Sequence, residues 1–277
     1  MDELMALPSF DRAWPERKGM KPRILVLEIR DKDRVEESPL CWIVVEREEK
    51  YERDSNDEIC SASIRLSYRR ITGKHPSYES GHGQFDGSYS RFFNAVSLTS
   101  SSMAAGSVYL GLPELHGQRI GTYLMNVVVE WVQQWPDAAV NPIELRMGQA
   151  RADNKARRNR FYEQFGLRFD YLDSGKREGL SRPIQVRALN VVETWKKNIF
   201  EHTMFDHLAE RLDAVESAQA KLAALNHAYV CLREKQKNAE ARPFRWAIKR
   251  LYNQSRGLVT AAAILAVCIS LFWFKTR

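Results

Sequence analysis

The stretch from Val108 to Trp135 sets the strongest limit on what this chain can become. An apolar run of strand length, Val108-Tyr109-Leu110-Gly111-Leu112, meets a Pro- and Gly-containing turn, Pro113 to Thr122, and then a helical pattern over Tyr123 to Trp135. A strand feeding directly into an amphipathic helix has to bury one face of each against the other, which commits the chain to mixed α/β packing. The turn also carries chemistry. Its backbone N–H groups point into the open N-terminus of a helix, where the helix dipole and the unpaired donors together make an anion cradle of pyrophosphate size. That predicts a nucleotide-bearing cofactor. Two other phosphate-binding arrangements are excluded: no Gly-x-Gly-x-x-Gly opens a βαβ unit, and no Gly-Lys-Ser/Thr loop occurs.

A second segment repeats the pattern. Ile143-Glu144-Leu145-Arg146-Met147 reads as a short strand and is followed by a helix starting near Asn154 and running through Tyr162 to Gly166. The two blocks together resemble the GNAT superfamily of N-acetyltransferases. That family's fingerprint, Gln/Arg-x-x-Gly-x-Gly/Ala, falls here on His116, Arg119 and Gly121, the last a strict match. Asn154-Lys155-Ala156-Arg157-Arg158-Asn159-Arg160-Phe161-Tyr162-Glu163-Gln164-Phe165-Gly166-Leu167 is similar to its Asn-x-x-Ala-x-x-hydrophobic-Tyr-Glu-x-hydrophobic-Gly-Phe block, one residue longer and with Arg157 at the alanine position.

The resemblance implies a mostly antiparallel central sheet flanked by helices, with acetyl-CoA as co-substrate and an amine acceptor. By the same resemblance, the strand through Leu110, Gly111 and Leu112 pairs with the pantetheine arm and aims an N–H at the thioester oxygen. His116, Gly117, Gln118, Arg119, Ile120, Gly121 and Thr122 hold the pyrophosphate, and Asn154 and Arg157 complete the cofactor site. Tyr162 is the general acid, since a phenol of pKa about 10 can protonate a departing thiolate. The base has no carboxylate on the cofactor strand, because no Asp or Glu lies between Asp86 and Glu114. Glu144 is the leading candidate, with His75, His82 and Asp86 behind it. An enzyme is the first reading; an inactive acyl-CoA-binding scaffold is the alternative.

Charge divides the chain. Residues 1–190 carry 28 basic against 27 acidic side chains, and residues 191–277 carry 14 against 8. The basic excess therefore lies in a C-terminal appendage, which closes on the uncharged run Leu258 to Phe274. Seventeen helical residues span about 26 Å, enough for a single transmembrane helix over 257–275. Arg233, Lys235, Lys237, Arg242, Arg245, Lys249, Arg250 and Arg256 precede it against only Glu234 and Glu240. This flank predicts a single-pass, C-terminally anchored protein whose N-terminal domain faces the cytoplasm, with anionic lipids near the surface. A basic run beside a span marks orientation more often than nucleic-acid binding. Cys41, Cys60, Cys231 and Cys268 show no metal-ligand spacing, so no metal is expected.

The resulting division is a loosely ordered arm at 1–20, a GNAT-like domain at 21–192, a helical linker at 193–240, a basic juxtamembrane segment at 241–256 and the span. Strands are expected at 23–30, 41–46, 61–70, 92–98, 167–172 and 183–192, with a loop rich in Gly, Ser and Pro from Thr72 to Ser90. Where the family places two helices over its substrate, little helical period appears. Phe205, Leu208, Leu212, Val215, Leu222 and Tyr229 alternate three- and four-residue steps, with Gln219 and Asn226 in the same frame. Residues 205–232 are thus either a coiled coil joining copies of the chain or a helix packed back on the domain.

Overall fold

The computed structural model describes residues 24–72, 81–104, 106, 108–150, 154–251 and 253–254. The arm at 1–20, His75 and the span at 257–275 lie outside these residues. The chain divides into two units, residues 1–208 and 209–277.

In the first unit a mostly antiparallel sheet runs β10-β1-β2-β3-β4-β5-β6, where only the β5–β6 pair is parallel. Its strands are β1 (Ile24–Ile29), β2 (Cys41–Arg53), β3 (Ile59–Arg70), β4 (His82–Ser90), β5 (Ala95–Ser97), β6 (Ala139–Val140) and β10 (Ile199–Thr203). A second, three-stranded sheet has the order β7-β9-β8, from Glu144–Leu145, Gly179–Ser181 and Phe169–Tyr171. The long strands follow the period-two rule: Cys41, Ile43 and Val45 of β2 and Ala62, Ile64, Leu66 and Tyr68 of β3 are buried, while Arg65 is exposed. Residues 30–40 between β1 and β2 hold a turn and an isolated Asp31–Arg34 bridge and no helix.

Helix α1 (Ile120–Val132) is buried on nearly every face, including Ile120, Leu124, Val128 and Val132. It approaches β4 at Gly87, where a Cβ would stand 2.7 Å from Val128 Cγ1 and 3.1 Å from Ile64 Cγ2. Glycine there lets helix backbone and sheet come together. Polar pins fix the other side of α1: Tyr123 Oη donates to Glu201 at 2.7 Å, and the Val192 N–H donates to Asn126 Oδ1 at 2.7 Å. Helix α2 (Asn154–Glu163) buries Arg158, Asn159 and Tyr162.

Four sequence expectations are corrected. Within residues 72–90, expected as a loop, His82–Ser90 forms β4 between β3 and β5. Residues 108–112 form no strand, because the Gly111 N–H donates to Tyr68 Oη at 2.9 Å and a single ladder-like bond runs from the Gly81 N–H to the Gly111 carbonyl. Residues 183–192 hold a 3₁₀ turn at Val186–Ala188 in place of a strand, and the strand of that region, β9, lies earlier. The domain does not stop at 192, since β10 pairs antiparallel with β1 from Leu25↔Thr203 to Ile29↔Ile199.

Helix α3 (Met204–Ala241) opens with the Asp206 N–H donating to Thr203 Oγ1 at 3.3 Å. Past His207 its side chains are largely exposed, and after a bend at Arg242 residues 243–251 are helical again. Among the described residues no helix is long and apolar enough to cross a membrane.

Candidate functional site

The turn before α1 is shaped by two left-handed residues. Gly117 has φ 87° and open space where a Cβ would stand, and Arg119 has φ 64° at the N-cap of α1. No side chain caps that end, so the first N–H groups of the helix are presented by backbone alone. The Arg119 guanidinium is tied down below the turn: its Nη1 donates to Asn198 Oδ1 at 2.8 Å. Asn198, fully buried, also donates to the carbonyls of Arg30 and Gln118. Loop residues just before β10 thus hold the turn in place.

A cavity of about 1130 Å³ opens against this turn and the facing side of α2. It exceeds the ~300–1,000 Å³ of an ordinary small-ligand pocket, as a long ligand requires. Lys32, Arg119, Arg157, Arg158 and Arg160 line it, and among the described residues no Asp or Glu does. Arg157 Nη2 donates to Asn154 Oδ1 at 2.8 Å, and Asn154 Nδ2 to the Gln149 carbonyl at 2.7 Å, so the start of α2 is tied to the loop after β7. Arg158 is buried and donates to Asn159 Oδ1 and to the carbonyls of Arg146 and Arg177; burial pulls its guanidinium below its usual range. The described part of the lining is therefore cationic.

Tyr162 borders the cavity from α2, almost entirely buried. Burial pushes its phenol up to about 12; nearby Arg158 and the Val108 N–H, which donates to the phenol oxygen, pull the other way. His116, also on the lining, has Nε2 3.4 Å from the Leu110 carbonyl.

Of the residues expected at the site, Leu110, His116, Gly117, Arg119, Ile120, Gly121, Thr122, Asn154, Arg157 and Tyr162 come together here. Gly111, Leu112 and Gln118 do not. Leu112 is core, the Gly111 N–H is spent on Tyr68, and Gln118 Oε1 accepts from the Lys32 N–H at 2.9 Å. Glu144 also stands off the cavity. On β7 its neighbour Leu145 takes the buried side, leaving the Glu144 carboxylate exposed and paired with Arg146 at 3.2 Å. Asp86 is turned to Arg65 and Gln84, and His82 is exposed away from the lining.

Lining residues not foreseen include Phe161, Gln164, Phe85 and Lys32. Phe161 and Gln164 follow Asn154 and Arg157 at helical spacing, so the face of α2 was readable once Tyr162 was placed inward. Nothing local marks Phe85 or Lys32. Among the described residues no group of three or more His, Cys, Asp or Glu is arranged to hold a metal ion. Comparison with known proteins finds no matching family model, no matching curated protein and no matching solved structure.

Proposed function

We propose that the first unit is a GNAT-like, acetyl-CoA-dependent N-acyltransferase domain acting on an amine. The observation that carries this is the cavity's charge: Lys32, Arg157, Arg160 and an uncapped helix N-terminus border one large space that Arg119 and Arg158 also line, with no acidic side chain among the described lining residues. Acetyl-CoA is long and polyanionic. The Gly117–Thr122 turn suits its diphosphate, and Arg157 and Arg160 suit its remaining phosphate.

In the proposed reaction the acceptor nitrogen forms a bond to the acetyl carbonyl carbon as the carbon–sulfur bond breaks. The departing thiolate takes the Tyr162 proton, and the proton released by the amine restores the phenol through solvent. A phenol held near 12 is fully protonated at neutral pH, and its reluctance to ionise costs driving force, so its contribution belongs at the low end of the range for general acids.

The same lining favours a second reading. With Glu144 off the cavity and no other carboxylate among the described residues on it, the wall offers an ammonium acceptor no carboxylate base, only the imidazole of His116. An acyl-CoA-binding scaffold without turnover needs no base. Calorimetry of the full chain with acetyl-CoA, followed by acetylation assays on protein, peptide and small-amine acceptors, separates the two. Binding with turnover supports the enzyme, binding alone supports the scaffold, and no binding removes both.

A further inference from the structure

Helix α3 is 38 residues long and buries only His207. Six of its apolar side chains form a stripe, flanked by Leu225, Val230 and Leu232. Phe205, Leu208, Leu212, Val215, Leu222 and Tyr229 follow a three-four alternation and are all exposed, Leu212 to 69% and Leu222 to 62%. In heptad terms Phe205, Leu212, Gln219 and Asn226 take position a, and Leu208, Val215, Leu222 and Tyr229 take position d. From Leu208 to Tyr229 five of the seven a and d positions are apolar and exposed, a seam that calls for a partner.

Charge and polarity select the occupant. Within residues 205–217 the helix carries Asp206, Glu210, Asp213 and Glu216 against Arg211 alone among Lys and Arg, which repels an anionic lipid surface. A foreign apolar helix would leave Gln219 and Asn226 facing hydrocarbon. A second copy of this chain presents the same amides at the same level, provided the two helices run parallel and in register. That arrangement also sets Arg211, at position g, beside Glu216 of the other copy at position e, and Leu225 beside its Val230. An antiparallel pair sets a against d, so that Asn226 meets a leucine, valine or tyrosine.

We infer that residues 205–232 of α3 form a parallel, in-register homodimer whose register is fixed by the Asn226 and Gln219 layers. The dimer brings the basic segments beginning at Arg233 to one end, where two copies of Arg233, Lys235 and Lys237 act together on an anionic surface. This inference does not depend on the acyltransferase reading.

The test uses the full chain in a non-ionic detergent. Light scattering should give a protein mass of two 32.1 kDa chains. Under mild oxidation Leu222→Cys should link copies faster than Lys221→Cys by roughly tenfold, since d residues meet their own counterparts only in a parallel pair and position c faces out. Asn226→Asp keeps helix propensity and opposes two carboxylates at one layer. It should weaken the dimer by roughly a hundredfold at pH 7 and recover when acidified. A monomeric wild type, equal linking at 221 and 222, or an Asn226→Asp dimer of unchanged affinity overturns the proposal.

Discussion

Tyr162 joins two properties that usually conflict, burial and a place on a cavity wall. Two experiments separate its roles. Tyr162→Phe removes one oxygen and keeps the ring packed against Phe161 and Phe169, so acetyl-CoA binding should persist while turnover falls by roughly 10², the low end for a positioned acid. An unchanged rate makes Tyr162 a core aromatic. The second experiment reads stability against pH. A phenol near 12 in the folded chain and about 10 when unfolded stabilises the fold below pH 10, and that contribution is lost as pH rises toward 12. Two units correspond to about 3 kcal/mol. Tyr123, whose phenol burial also pushes up, adds to the same alkaline loss. Urea titrations at pH 9 and pH 11 should therefore show a smaller loss in Tyr162→Phe than in the wild type; identical losses refute the assignment. At the turn, Gly121→Glu should abolish acetyl-CoA binding in a folded protein. A Cβ at Gly121 stands in ordinary contact distance of Phe161, at 3.5 Å, and Phe85, at 4.0 Å, so the branch point fits and the added charge opposes the diphosphate. Unchanged affinity on calorimetry moves the site elsewhere.

At the scale of elements, the joint between α1 and β4 depends on Gly87. Gly87→Val places branched carbon against Val128 and Ile64, both fully buried, and should destabilise the first unit by about 1–3 kcal/mol in urea unfolding. A neutral substitution would mean that α1 can shift at no cost. What was legible in the sequence follows from length and period. Strands β2 and β3 alternate over five or more residues, and α1 and α3 hold their periods for several turns, so each was visible locally. The site was legible where it lies on one turn and one helix, from His116 to Thr122 and from Asn154 to Tyr162. Strands β4, β6, β9 and β10 were not. β9 is three residues with Gly and Ser, and β10 owes its existence to β1, a partner far away in sequence. Glu144 was misplaced for a related reason: on a two-residue strand, only the packing of Leu145 decides which side chain faces in.

For the whole molecule, position of charge argues more than its total. The formal net charge of +7 is concentrated beyond residue 190, while the first unit is nearly neutral and sets five of its cations on a cavity wall. The two concentrations serve different anions in the proposed reading, a cofactor phosphate at one and a lipid headgroup at the other. Among the described residues the helical segment 243–251 exposes Phe244, Trp246, Ile248 and Leu251, with Arg250 stacked 5.0 Å over the Trp246 ring. Aromatic and cationic side chains interleaved in this way suit a membrane interface. If residues 257–275 span the bilayer behind it, the full chain sediments with membranes and resists extraction by high salt, which would strip a purely electrostatic attachment. Deleting residues 257–277 should then release most of the protein, with the remainder held by the basic segment and released by salt. Protease added to the cytoplasmic face should reach the first unit. A full chain that stays in the supernatant without detergent removes the anchor, whereas pelleting that salt abolishes in the intact chain assigns the attachment to the basic segment alone.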